Sequence, residues 1–129
     1  SLKERLERFR YTAQGFRVAW QEEYSFKFHV MWALLTIFTA LIVRVPYIEM
    51  LIILAMIGFV LVAELFNTAL EELCDKFQPT HDPHIGKIKD LASAAVSASA
   101  ITAALIGLII IMPRFFIFVT TLYESYFGI

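Results

Sequence analysis

From Leu91 to Pro113 the chain carries no charged side chain, and two shorter stretches, Phe28 to Val43 and Met50 to Ala63, are equally free of Asp, Glu, Lys and Arg. A helix of ~20 apolar residues crosses the hydrocarbon core of a bilayer, and the Leu91 run reaches that length alone. The other two reach it only if each helix continues past its flanking charge. For the second this is expected, because neither Pro nor Gly interrupts the chain from Phe59 through Phe77. Composition removes the soluble alternative. Of the 129 residues 59% are hydrophobic, against ~45–50% in a soluble domain, and a domain this small buries the smallest share of its surface. The length allows one domain. A net charge of -1 excludes a nucleic-acid binder held by bulk positive charge, and the single Cys74 permits no internal disulfide. The charged N-terminal stretch has no compact apolar core before a cleavage site, so no signal peptide is expected.

Ahead of the runs, Leu2, Leu6, Phe9, Ala13, Phe16 and Trp20 recur at helical spacing, with Lys3, Arg5, Glu7, Arg8, Arg10, Gln14 and Arg17 on the rest of the circumference. Such a stripe can lie among acyl chains at the membrane interface. The expected fold is an all-α membrane protein. It has an N-terminal amphipathic surface helix over 1–26, spans near 28–45, 47–77 and 86–112, and a Phe- and Tyr-rich tail, 114–129, returning along the outer interface. Basic residues are concentrated before residue 28 and in the 76–89 region, while the link around Pro46 holds only Arg44. The positive-inside rule then places the N-terminus and the 77–88 loop in the cytoplasm and the C-terminus outside. The third span is full of Ala and Ser, from Ala92 to Ala104, which lets helices approach closely. Three spans alone enclose little interior, so an oligomer is expected.

The segment Ala63 to Asp75 carries the chemistry. At ~100° per residue, Glu64, Asn67, Thr68, Glu71 and Asp75 fall on one helical stripe. A wet helix face explains Asp75 and Glu72, but it would cut the second span short at Glu64, and ionisable groups inside a span mark function. Carboxylates that hold Mg²⁺ against substrate phosphates, plus one that takes a proton from an attacking hydroxyl, are what phosphoryl transfer requires. Lys89 beside Asp90 offers a cation for the nucleotide. No GxxxxGK[ST] occurs, so the soluble nucleotide-binding classes are excluded.

Three blocks resemble the prokaryotic diacylglycerol kinase family, which includes undecaprenol kinases. Glu64-Leu65-Phe66-Asn67-Thr68-Ala69-Leu70-Glu71 followed by Asp75 is similar to its ExxN[ST]A[IL]ExxxD signature. Lys89-Asp90 with Ala95-Val96 resembles its KDxxxxAV block, and Gly15-Phe16-Arg17 with Glu23 and Phe26 resembles its surface-helix block. The resemblance implies a homotrimer in the bacterial inner membrane, with active sites shared between subunits, that moves the γ-phosphate of ATP, with Mg²⁺, onto diacylglycerol or undecaprenol. It implies Glu64 as general base with Asn67 ordering the site, Glu23 and Glu71 as metal ligands, and Tyr11, Asp75, Lys89 and Asp90 as nucleotide-binding positions. Where members often carry His seven residues before the lysine, this chain has Asp82, flanked by His81 and His84. That His-Asp-His group reads as a solvated loop rather than a metal cluster, and His29 reads as an interface residue. The competing class is a small transporter or proton-conducting oligomer using Glu64 and Glu71 inside a bundle. It gives no reason for Lys89-Asp90 at the mouth of the third span.

Overall fold

The computed structural model describes residues 1–77 and 82–129. They form four α-helices: α1 (Leu2–Glu22), α2 (Tyr24–Ile42), α3 (Tyr47–Phe77) and α4 (Pro83–Phe127), with no strand among the described residues. α2, α3 and α4 are each long and apolar enough to cross a membrane. α3 is the centre of the packing: it lies mainly against α4, next against α2, and touches α1.

The breaks between helices follow from single residues. Glu23 adopts an extended conformation (φ -110, ψ 109), which separates α1 from α2 while its N–H still bonds Ala19 O at 3.0 Å. α1 therefore ends earlier than the expected residue 26, and Phe26 is already buried in α2. α2 ends in a Schellman motif. Val45 N donates to Ala40 O at 3.0 Å and Arg44 N to Leu41 O at 3.3 Å, with Arg44 left-handed at φ 55. Only Gly adopts that conformation freely. Pro46 then blocks continuation, and α3 begins with Met50 N donating to Pro46 O. Asp82 caps α4, its Oδ1 accepting from His84 N at 2.8 Å, and Pro83 occupies the first turn, where a missing N–H costs nothing.

α4 runs 45 residues without a break, through Pro113 to Phe127, a length of ~67 Å at 1.5 Å per residue. The return expected for 114–129 does not occur, because the helix survives its proline. Pro113 offers no N–H to the preceding turn. Beside it, Arg114 Nη1 donates to Ile110 O at 2.8 Å and stands 2.7 Å from Glu49 Oε2 on α3. That pair fastens the C-terminal half of α4 to the first turn of α3. Next to it, Ala40, Ile53 and Ile110 form a buried cluster, covered by Val45, Met50, Ile57, Ile106 and Ile111.

Burial is otherwise sparse. Ala19, Phe26, Ala40, Ile53, Val60, Cys74 and Ile110 complete the buried apolar set, while Phe38, Leu41, Phe59, Ile109 and Phe116 are among the many large apolar side chains left exposed. In water so large an apolar surface would aggregate, whereas in a bilayer it meets acyl chains. The hydroxyls inside the spans fit that solvent. Thr36, Thr39 and Thr102 each bond the carbonyl four residues back, at 2.8, 2.9 and 2.8 Å, so these three donors do not face lipid unpaired.

Candidate active site

Among the described residues Glu64 is the largest fully buried side chain, 1% exposed, although it sits in the middle of an apolar helix. A lone carboxylate there would be prohibitively costly, and α2 relieves that cost. Ser25 Oγ donates to Glu64 Oε2 at 3.1 Å. His29 Nε2 lies 3.1 Å from Oε1, an ion pair when the imidazole is protonated. The contact lacks the alignment of a hydrogen bond, so Oε1 keeps an unfilled acceptor position. Ser25 and His29 stand four residues apart and share a face of α2. Within α3, Thr68 Oγ1 bonds Glu64 O at 3.0 Å, leaving the carboxylate to α2 alone.

His29 is therefore no interface residue, and neither it nor Ser25 was expected at the site. Their signals in the sequence are their spacing within the first turns of α2 and, for Ser25, its place in the Glu23–Phe26 block of the family resemblance.

The other residues of the acidic stripe follow along α3. Asn67 is half-buried, and its Oδ1 has no hydrogen-bond partner among the described residues. Glu71 is half-buried one turn on. Glu23, at the break between α1 and α2, has its carboxyl held above the ordinary carboxylate range, first by burial and then by the charges of Glu71 and Glu64. Three carboxylates from two elements thus converge in one field. Further along, Lys89 Nζ on α4 reaches Asp75 Oδ1 at 2.9 Å, tying α3 to α4, and Glu71 lies within its electrostatic reach. Tyr11 and Asp90 are exposed and make no side-chain hydrogen bond among the described residues. Asp82 is committed to capping α4, and His81 lies outside the described residues.

The packing of α1 fixes Glu23. Phe16 meets Phe26 with ring centroids 6.5 Å apart, and Lys27 Nζ sits 5.9 Å over the Trp20 ring, so two contacts hold the helices across the bend. Between α1 and α3 opens a cavity of about 460 Å³, with Thr12, Gly15, Phe16, Ala19, Leu65 and Ala69 among its almost wholly apolar walls.

The donor set suits a hard cation only in part. No group of three or more His, Cys, Asp or Glu side chains is poised to hold a metal among the described residues. Mg²⁺ does not require one, since it is commonly bound by one or two carboxylates plus substrate phosphates. Glu23 and Glu71, crowded enough to raise the first carboxyl, fit that minimal set.

Residues 10–111 match the family model described as prokaryotic diacylglycerol kinase. The undecaprenol kinase of Bacillus subtilis (strain 168) is 32% identical over 106 residues, covering 82% of this chain and 86% of that protein. The diacylglycerol kinase of Escherichia coli (strain K12) is 28% identical over 105 residues, covering 81% and 86%. That of Synechocystis sp. is 29% identical over 106 residues, covering 81% of this chain and 61% of its own length. With a match across most of its length and a site built on the matched segments, the chain belongs to the prokaryotic diacylglycerol kinase family and is a lipid kinase.

Proposed function

We propose that the chain transfers the γ-phosphate of MgATP to the hydroxyl of a membrane lipid alcohol, undecaprenol or diacylglycerol, at the cytoplasmic face of a bacterial inner membrane. The observation that carries this reading is Glu64, a carboxylate fully buried at membrane depth with one oxygen still free to accept a proton. A carboxylate that served only to fasten helices would not be gathered with the like charges of Glu23 and Glu71, whereas a general base beside a metal site is.

In the reaction Glu64 takes the hydroxyl proton as the alcohol oxygen bonds to phosphorus. The bond from phosphorus to the bridging oxygen of ATP breaks, ADP leaves, and the proton returns from Glu64 to water. Glu23 and Glu71 would hold Mg²⁺, which when bound neutralises the phosphate charge. Asn67, with its unpartnered Oδ1, orders the groups between base and phosphates. Lys89, held by Asp75 at 2.9 Å, supplies positive charge for the nucleotide, with Tyr11 and Asp90 completing that side. α1 lies in the interface with Leu2, Leu6, Phe9, Phe16 and Trp20 among the acyl chains, all of them exposed in the protomer. Three such protomers assemble, covering the exposed small-residue face of α4 and completing each site with residues from a neighbour.

Undecaprenol is the acceptor to test first. The Bacillus relative that bears its name is 32% identical, against 28% for the diacylglycerol kinase. Purified protein in vesicles, given γ-labelled ATP and each lipid separately, should label at least one. Absence of labelled lipid in both would overturn the proposal.

A further inference from the structure

We infer that His29 and Ser25 are positioning residues for Glu64, locking its carboxylate in the one orientation that presents the free lone pair of Oε1 to the acceptor hydroxyl. The inference rests on the kinase reading and goes beyond it, because it assigns a role to two α2 side chains that the acidic stripe does not contain. A carboxylate on a helix has freedom about its terminal torsions. Here each oxygen meets a different α2 side chain at 3.1 Å, Oε2 accepting from Ser25 and Oε1 facing His29. Both contacts come from one helix face, so they fix the plane of the carboxylate relative to α2 as a whole. Thr68 binds only the Glu64 backbone carbonyl and does not compete. His29 is largely covered, with a side chain 20% exposed, and its ring is packed edge-on by Phe28 at 5.6 Å, which restrains the imidazole itself. Neither residue needs to touch substrate. They act through Glu64, where a displacement of ~1 Å can cost about 10²-fold in rate.

Two measurements test this, one independent of activity. In protein labelled with ¹⁵N-histidine, the His29 ring resonances, assigned by their loss in His29→Gln, should move on Glu64→Gln. Resonances indifferent to Glu64 would overturn the contact and the inference together. In the lipid phosphorylation assay, His29→Ala and Ser25→Ala should each lower kcat by about 10- to 100-fold while KM for ATP and for lipid stay within about twofold. His29→Gln, which keeps an N–H donor, should recover part of kcat. If His29→Ala fails to assemble, Ser25→Ala and His29→Gln still give the kinetic answer. An alanine variant with kcat within about twofold of wild type, or one whose loss lies in KM, would overturn the positioning role. Wild-type protein inert toward both lipids, with His29 still responding to Glu64, would sink the kinase reading and the catalytic purpose of the clamp while leaving the contact itself established.

Discussion

In the first turn of α3, Glu49 meets Arg114 of α4 at 2.7 Å; ~22 Å further along the same helix, Glu64 meets His29 of α2 at 3.1 Å. Both pair an acidic side chain with a basic one inside an apolar bundle, yet they are built for different ends. The Glu49 carboxylate is about a third exposed, its partner carries a permanent charge, and an apolar cluster of Ala40, Ile53 and Ile110 lies beside it. The Glu64 carboxylate is sealed at 1% exposure, its partner is an imidazole on α2, and further carboxylates crowd the same field. One end resembles a fastener. The other concentrates like charge, which disfavours folding until a bound cation or proton offsets it. Catalytic sites keep such conflicts because the chemistry uses them.

The sharpest way to break this comparison is Glu64→Gln. It should fold and assemble as wild type does but lose phosphoryl transfer by about 10²–10⁴-fold. A variant keeping more than about a third of the wild-type rate, well above that range, would remove Glu64 from the mechanism. Next, Glu71→Ala and Glu23→Ala should each raise the Mg²⁺ needed for half-maximal activity by about 10-fold or more, since each removes one of the two carboxylates assigned to the cation, with lipid KM little changed. A Mg²⁺ titration at fixed ATP reads this directly, and an unaltered metal dependence in both variants contradicts the assignment. At the opposite end, Arg114→Met should cost roughly 1–3 kcal/mol of stability, between an exposed and a buried ion pair, while specific activity of the folded fraction is preserved. Thermal unfolding in detergent measures it, and an unchanged midpoint would show that the Glu49 pair fastens nothing. The smallest effect is a gain. Arg44→Gly relieves a left-handed non-glycine residue and should stabilise by about 1 kcal/mol, without touching the site.

Much of this was legible in the sequence, for identifiable reasons. Charge-free runs gave the spans because lipid permits no other backbone solution, and the stripe from Glu64 to Asp75 was visible because one helix carries all of it. The length of α4 was not legible, since Pro113 normally signals a stop, and Arg114 reaching both Ile110 O and Glu49 beside it is a contact no periodicity reports. The clamp on Glu64 was hidden for a related reason. Periodicity reports which residues share a face of one helix, and it is silent on how two helices are set in register against each other. The approach of Glu23 to Glu71 depends in the same way on the extended residue between α1 and α2.

The tight link at residues 43–46 has a consequence for how the protein is made. Because the Schellman turn and Pro46 leave almost no slack between α2 and α3, the two helices are expected to enter the bilayer as one hairpin. Ser25 and His29 are synthesised before Glu64, so the costly carboxylate meets its partners as soon as it arrives and need not face lipid while α4 is still being translated. A chain truncated after Phe77 should therefore insert both helices, and Ser25→Ala combined with His29→Ala should impair that insertion. Equal insertion of the two truncated chains, scored by glycosylation tags in a translocation assay, would show that the hairpin gains nothing from the early partnership.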